Sequence, residues 1–238
     1  MTAGGISGRL AQIDWASVHA SLDQYGYALT GAVLTAAECR ALIALYGQRE
    51  CFRSRIEMSR FRFGVGEYKY FAAPLPPLIQ TLREGLYLRL APIASAWVKA
   101  LDGSAPFPPQ LFSFLDRCHQ AGQARPTPLL LRYEAGGYNC MHQDIYGEIV
   151  FPLQFTCVLS RREIDYRGGE FLLLEQRPRA QSSGHAITLE QGEAILFATR
   201  YRPVKGIRGY HRANIRHGVS RLHSGLRFSL GVIFHDAK

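Results

Sequence analysis

Residues 214–234 read NIRHGVSRLHSGLRFSLGVIF, and two strands can be drawn through them. In the second, Leu226, Phe228, Leu230, Val232 and Phe234 fall on one face, and Arg227, Ser229 and Gly231 on the other, because successive side chains of a strand point to opposite sides. The apolar face is that of a strand lying on a hydrophobic core. Arg227 is the odd residue. A guanidinium among small residues on such a strand needs a partner, since an unpaired buried charge is very costly. A bound carboxylate matches it bidentately. The first strand, Asn214–Ser220, carries His217 ten residues before Arg227.

Outward from this pair, short strands recur, separated by Gly and Pro. Thr127–Glu134, Tyr138–Asp144, Val150–Leu159, Gly169–Glu175, Glu193–Ala198, Arg212–Ser220 and Leu226–Phe234 predict a jelly-roll or barrel over residues 125–238. Upstream, apolar residues at helical spacing predict helices over Ile13–Tyr25, Thr35–Tyr46 and Leu75–Leu101, the second opened by a capping box of Thr35 and Glu38. Arg53–Phe71 reads as a hairpin around Gly64-Val65-Gly66. The expected architecture is α+β with a mainly β core. A helical N-terminal region (1–124), with a hairpin at about 53–71, packs on the β core (125–238) as one structural domain.

The 238 residues carry 28 Lys+Arg against 19 Asp+Glu, a net charge of +9, and 47% hydrophobic content excludes a disordered chain. The cysteines (Cys39, Cys51, Cys118, Cys140, Cys157) are odd in number and form no CxxC, which argues against a secreted disulfide framework. Met1–Trp15 lacks the apolar core of a secretory leader, and apolar runs such as Pro128–Leu131 stop short of a membrane span. The expectation is a cytoplasmic protein without membrane contact, a monomer or weak oligomer, whose positive charge meets an anionic partner.

His142-Gln143-Asp144 supplies the chemistry. On a strand, positions i and i+2 share a face with Cα atoms roughly 6–7 Å apart, so one imidazole and one carboxylate can reach a single metal. His217 offers a second imidazole. Two His and one carboxylate form the facial triad of non-haem Fe(II) oxygenases, with coordination positions left open. His211 and His223 compete for the distal place. Arg221, ten residues past His211, is not on an alternating strand, and no arginine follows His223 at that distance. Both therefore read as solvated or loop residues and His235 as structural. Cys140 is expected as a buried small hydrophobe beside the site, since a thiolate next to iron and O2 would be oxidised.

The set of H-x-D, a distal His and R-x-S ten residues on resembles the Fe(II)/2-oxoglutarate-dependent dioxygenases over most of residues 127–236. From Arg132 to Asp144 the pattern R-Y-x-x-G-x-x-x-x-x-H-Q-D resembles AlkB-type alkylated-base dioxygenases. Gly168-Gly169-Glu170-Phe171 is similar to a strand opening common in the superfamily. The ending, His217-Gly218-Val219-Ser220 through Arg227 to Phe234-His235-Asp236-Ala237, resembles a bacterial family described as oxygenases acting on damaged DNA. The R-x-S spacing is closer to prolyl-hydroxylase-like members. The resemblance implies a double-stranded β-helix with His142, Asp144 and His217 as the Fe(II) ligands and, through iron, the catalytic residues. Arg227 would anchor the distal carboxylate of 2-oxoglutarate, with Ser229 and Tyr133 as hydrogen-bonding helpers. With O2 as the other cosubstrate, decarboxylation to succinate would be coupled to C–H hydroxylation. Oxidative demethylation of alkylated bases is the leading activity. Hydroxylation of a protein side chain is the alternative, and a catalytically silent binding module the third.

Two basic stretches bear on the substrate. Arg200, Arg202, Lys205, Arg208, Arg212 and Arg216 occur without an intervening acid and lead into His217, so this segment is expected at the pocket mouth. Arg53, Arg55, Arg60, Arg62 and Lys69 interleave with Phe61, Phe63, Tyr68 and Tyr70. Basic and aromatic side chains together track phosphates and stack bases. Arg60, Arg62, Tyr68, Arg208 and Arg212 are accordingly the candidate contacts to DNA or RNA. By the AlkB-type resemblance, the hairpin would be a lid over an extruded base. An acidic peptide or a phosphorylated metabolite fits the same charge.

Overall fold

The computed structural model describes residues 4–238, so the first three residues of the stretch read for a leader lie outside it. The chain opens with α1 (Ile6–Gln12) and α2 (Trp15–Tyr25), where a single helix from Ile13 was expected. Asp14 starts α2 by accepting from the Ser17 amide at 3.0 Å, and Gly26 ends it at φ +78°, as an N-cap carboxylate and a left-handed C-terminal glycine do. β1 (Tyr27–Ala32) leads into α3 (Ala36–Leu45), whose Thr35–Glu38 capping box forms as read. Then come β2 (Phe52–Glu57), β3 (Gly64–Val65), β4 (Glu67–Phe71), α4 (Pro77–Asp102) and α5 (Leu111–Gln120). α4 buries Ile79, Leu82, Leu86, Leu90, Ala94 and Trp97, a stripe at three- and four-residue spacing.

The remaining strands are β5 (Leu129–Glu134), β6 (Tyr138–His142), β7 (Leu153–Val158), β8 (Tyr166–Gly168), β9 (Phe171–Gln176), β10 (Ser183–Ile187), β11 (Glu193–Ala198), β12 (Tyr201–Gly206), β13 (Gly209–Val219) and β14 (Leu222–Ile233). They form two antiparallel sheets. The larger runs β1-β11-β7-β14-β5-β4-β2 with β8 added to β14, and the smaller runs β10-β9-β13-β6-β3 with β12 added to β13.

Residue 125 marks no break in the sheets. β1 pairs with β11, and β4 pairs with β5 through Tyr68↔Leu131 and Tyr70↔Leu129, so the N-terminal region widens the larger sheet as well as supplying helices. The expected hairpin is present as β2 and β4, but its tip does more than turn. β3 joins the smaller sheet through Gly64↔Asn139 and Val65↔Tyr138, so residues 58–66 cross from one sheet to the other. β10 and β12 escaped the sequence reading because edge strands need no apolar alternation. β10 is largely exposed, and β12 carries Pro203, which an edge tolerates. Beneath the sheets, Tyr87, Phe107, Phe114, Phe151 and Phe234 cluster with ring centroids 5.0 to 6.1 Å apart and seat α4 and α5. No helix of the described residues is long and apolar enough to cross a membrane.

Candidate metal centre and its pocket

β6 and β13 run side by side with His142 and His217 as direct cross-strand partners, their ring centroids 4.2 Å apart. β6 ends at His142, and Asp144 follows in the connection. Its Oδ2 lies 3.2 Å from His217 Nε2 and its Oδ1 3.6 Å from His142 Nε2. One donor atom from each residue falls within 4.8 Å of the other two. The His142 ring is oriented by Nδ1, 2.8 Å from the Cys140 carbonyl, which leaves Nε2 with its lone pair. Phe171 lies parallel to the His217 ring at 5.8 Å and Phe197 touches it at 4.7 Å.

The electrostatics suit a cation. Burial would raise the Asp144 carboxyl, but the adjacent imidazoles and a Tyr146 hydrogen bond outweigh it and hold the group well below the usual carboxylate range. Burial and the neighbouring His142 push the His217 imidazole below its ordinary value, which favours the neutral, ligating form.

These residues open into a cavity of about 330 Å³ between the sheets. Arg227, Ser229, Gly231 and Ile233 line one wall in the predicted alternation, and Tyr133 stands opposite Arg227 in the β5–β14 register. Arg227 is 1% exposed. It donates to Ser229 Oγ at 3.2 Å and lies 5.9 and 5.7 Å from the Tyr133 and Tyr166 rings. Its Nε, the Tyr133 hydroxyl, Gln154 Nε2 and His217 Nδ1 are buried without a hydrogen-bond partner. Burial raises the Tyr133 hydroxyl well above its ordinary value, so it remains a donor. Buried polar groups are almost always satisfied. Arg227 Nε and the Tyr133 hydroxyl, unsatisfied in the wall of one cavity, are free to meet a polar ligand.

At the mouth stand Arg62, Phe63 and Tyr68. Arg62 is held at φ +59°, a conformation rare outside glycine. The Phe63 carbonyl accepts from the Cys140 amide at 2.8 Å, which fixes the hairpin tip two residues from His142. Phe61 and Phe63 stack at 5.5 Å and are 54% and 46% exposed.

The other expected substrate contacts stand apart. Arg60 pairs with Glu57 at 2.7 Å and faces solvent. Arg208 sits exposed in the β12–β13 turn, and Arg212 pairs with Asp102 at 3.2 Å. None of the three lines the cavity. For Arg212 the reason is parity. Arg212 and Arg216 differ from His217 by odd numbers of residues, so on β13 they point to the opposite face, while Arg202 is buried on Glu175. Cys140, expected buried, is exposed. His211 and His223 lie on β13 and β14 rather than in loops, His223 exposed to solvent as one of the two readings had it, and His235 is fully buried. Tyr146, Gln154 and Tyr166 were not foreseen. Gln154 had a signal, an amide sharing a strand face with Thr156 in the otherwise apolar run 153–158. Tyr146, in a connection without periodicity, had none.

Comparison with known proteins agrees with this geometry. Residues 66–237 match the family Oxygenase-NA, described as "Oxygenase, catalysing oxidative methylation of damaged DNA". The uncharacterized protein Rv2227 of Mycobacterium tuberculosis (strain H37Rv) is 51% identical over 167 residues, 70% of this chain and 72% of that one. Two solved structures share the fold. A Pseudomonas putida prolyl-4-hydroxylase superposes with a TM-score of 0.55 at 13% identity, covering 94% of this chain and 99% of that one. An oxidoreductase of the 2OG-Fe(II) oxygenase family from Burkholderia pseudomallei gives 0.53 at 15% identity, covering 99% and 94%. The chain belongs to the Oxygenase-NA family and is an oxygenase built on the double-stranded β-helix of the 2OG-Fe(II) enzymes.

Proposed function

We propose that the chain is an Fe(II)- and 2-oxoglutarate-dependent dioxygenase that removes alkyl groups from nucleic-acid bases by oxidation. The observation that carries the cofactor reading is one cavity holding both a His–Asp–His cluster and a buried arginine that no acid neutralises. The donor set fits Fe(II), with two neutral nitrogens and one carboxylate and no thiolate among the three. The unsatisfied Arg227 Nε and Tyr133 hydroxyl fit a ligand carboxylate.

His142, Asp144 and His217 would hold the metal. Bound iron supplies activation of O2, which couples decarboxylation of 2-oxoglutarate to succinate with hydroxylation of a substrate C–H bond. The chain's own residues position and enclose. Arg227 and Ser229 take the distal carboxylate, and Tyr133 donates to it. Phe171 and Phe197 shield His217 from water. Arg62, Phe63 and Tyr68 receive the substrate at the mouth.

The substrate reading rests on that mouth and on the family's description. A cation beside exposed stacked rings suits an unpaired base and its phosphate, and the roughly 330 Å³ cavity is of a size for one extruded base beside the cosubstrate. Hydroxylating an N-methyl group releases formaldehyde and restores the base. The test is incubation of methylated oligonucleotides with protein, Fe(II) and 2-oxoglutarate, followed by mass spectrometry and formaldehyde detection. Loss of one methylene mass with succinate formation is expected; unchanged oligonucleotides refute the substrate.

Hydroxylation of a protein side chain is favoured by one specific observation, the Arg227-x-Ser229 pair ten residues past His217. Salt separates the two readings. Single-stranded nucleic acid should lose affinity with a log–log slope of about −0.7 per phosphate contact, whereas a neutral peptide should show little slope.

A further inference from the structure

Tyr146 lies two residues beyond Asp144 and donates its hydroxyl proton to Asp144 Oδ1 at 2.6 Å. Tyr70 meets its ring edge-on at 6.1 Å, and His235 packs on it at 6.0 Å, so the hydroxyl has little freedom to leave. The other carboxylate oxygen, Oδ2, stands 3.2 Å from His217 Nε2. A carboxylate can offer a metal one oxygen or both. If both were used, Asp144 would take a coordination position that a three-residue centre otherwise leaves open.

On the dioxygenase reading above, we infer that Tyr146 is a positioning residue that ties down Asp144 Oδ1 and restricts Asp144 to ligation through Oδ2. The hydrogen bond occupies Oδ1 and fixes the plane of the carboxylate, so that Oδ2 is the oxygen left free for a metal. Groups that hydrogen-bond to metal ligands typically change metal affinity or activity 10- to 100-fold when removed. Tyr70 is the internal control. Its ring touches the same ring and its hydroxyl is hydrogen-bonded to that of Tyr146, not to Asp144, so replacing that hydroxyl changes the surroundings of Tyr146 and leaves the bond to Asp144 Oδ1 in place.

The test uses full-length wild type, Tyr146→Phe and Tyr70→Phe, each freed of metal and titrated with Co(II) by calorimetry. Visible absorption of the Co(II) forms reports coordination number, and thermal melts of the metal-free proteins check folding. Tyr146→Phe should weaken Co(II) binding about 10-fold and alter the absorption bands, while Tyr70→Phe stays within about 2-fold with wild-type bands. Unchanged affinity and bands in Tyr146→Phe overturn the inference alone. Equal losses in the two variants overturn it also, by assigning the effect to the hydroxyl network around the pair and not to the bond on Asp144. A wild-type protein that takes up no Co(II) overturns the metal reading, and this inference with it.

Discussion

Replacing Arg227 by Met should stabilise the ligand-free protein and abolish its response to 2-oxoglutarate. The guanidinium is 1% exposed, has one hydroxyl partner at 3.2 Å, and leaves Nε unsatisfied. Exchanging a buried ionic group for an apolar one of similar volume is often stabilising by about 1–4 kcal/mol. Against that stand a lost hydrogen bond to the charged group, about 1.5–3 kcal/mol, and two ring contacts of about 0.5–2 kcal/mol each. Those contacts are long for their kind, at 5.7 and 5.9 Å to the centroids, and the hydrogen bond is stretched. The lower ends therefore apply to them, about 2.5 kcal/mol together, while the absence of any acid partner puts the first figure at its upper end, about 4 kcal/mol, so the net is a gain of about 1.5 kcal/mol, or roughly 3–6 °C in Tm for a domain of this size.

Ligand reverses the order. With Mn(II) present, 2-oxoglutarate at one hundred times its Kd should stabilise wild type by about 2.7 kcal/mol, or about 5–11 °C. Arg227→Met should show no such rise. Thermal melts of both proteins with and without 2-oxoglutarate therefore cross. A variant that melts below wild type without ligand refutes the claim that the charge awaits a partner. A variant still stabilised by 2-oxoglutarate refutes the site.

Two further outcomes follow from other buried groups. Burial, aided by Arg83, brings His235 down to about 4 against 6.5 unfolded. A depressed folded value means the stability is fully present above pH 6.5 and is lost as pH falls toward 4, on the order of 3 kcal/mol in all. His235→Gln keeps an acceptor for the Phe151 amide now bonded to Nδ1 and should flatten urea-denaturation stability across that window; an unchanged slope excludes His235 as the source. Gly64 sits at φ +138°, and a Cβ there would meet the Tyr138 carbonyl oxygen at 2.3 Å. Gly64→Ala should therefore unpair β3 from β6, expose residues 58–66 to limited proteolysis, and lower substrate turnover while Co(II) binding persists. Wild-type protease resistance together with wild-type turnover would show that β3 is not what holds the mouth.

The metal cluster was legible because strand chemistry has a period. His142 and His217 announce themselves by lying on two strands that must be neighbours, and Arg227 by breaking an apolar alternation. The same rule, applied one step further, would have turned Arg212 away from the pocket, since five residues separate it from His217 and an odd offset changes face. Parity also placed Cys140 on the face of His142. It could not show that β6 is flanked on that side only by the two-residue β3, which leaves the thiol exposed. Two of the four N-terminal strands, β1 and β3, were hidden for another reason. β1 and β3 are short or polar, and their pairing partners lie far along the chain. Tyr146 was beyond reach because a connection has no repeat from which to depart, and only its 2.6 Å bond to Asp144 identifies it.

Among the described residues three arginines are almost wholly buried, and comparing them separates what the fold requires from what a ligand would require. Arg83 donates to the Asp236 carboxylate at 2.8 Å and to the carbonyls of Ile233 and Phe234 at 3.2 and 2.9 Å. Arg202 pairs with Glu175 and reaches the Asp23 carbonyl at 2.7 Å. In both, the counter-charge is covalently part of the chain, so the cost of desolvation is offset permanently and the contact ties helices to sheets. Arg227 is buried to the same degree but meets only hydroxyls and ring faces. A fold that satisfies two buried arginines and leaves a third without an acid does not lack the means to neutralise it. On the proposed reading, a built-in carboxylate beside Arg227 would remove the attraction on which a dicarboxylate depends, so the missing acid would make the cavity selective for one. The same reasoning separates the +9 net charge into parts. Arg202 and Arg212, whose partners are Glu175 and Asp102, are occupied by the protein itself. Arg62 at the mouth and Arg227 in the wall face the cavity and are available to what enters it.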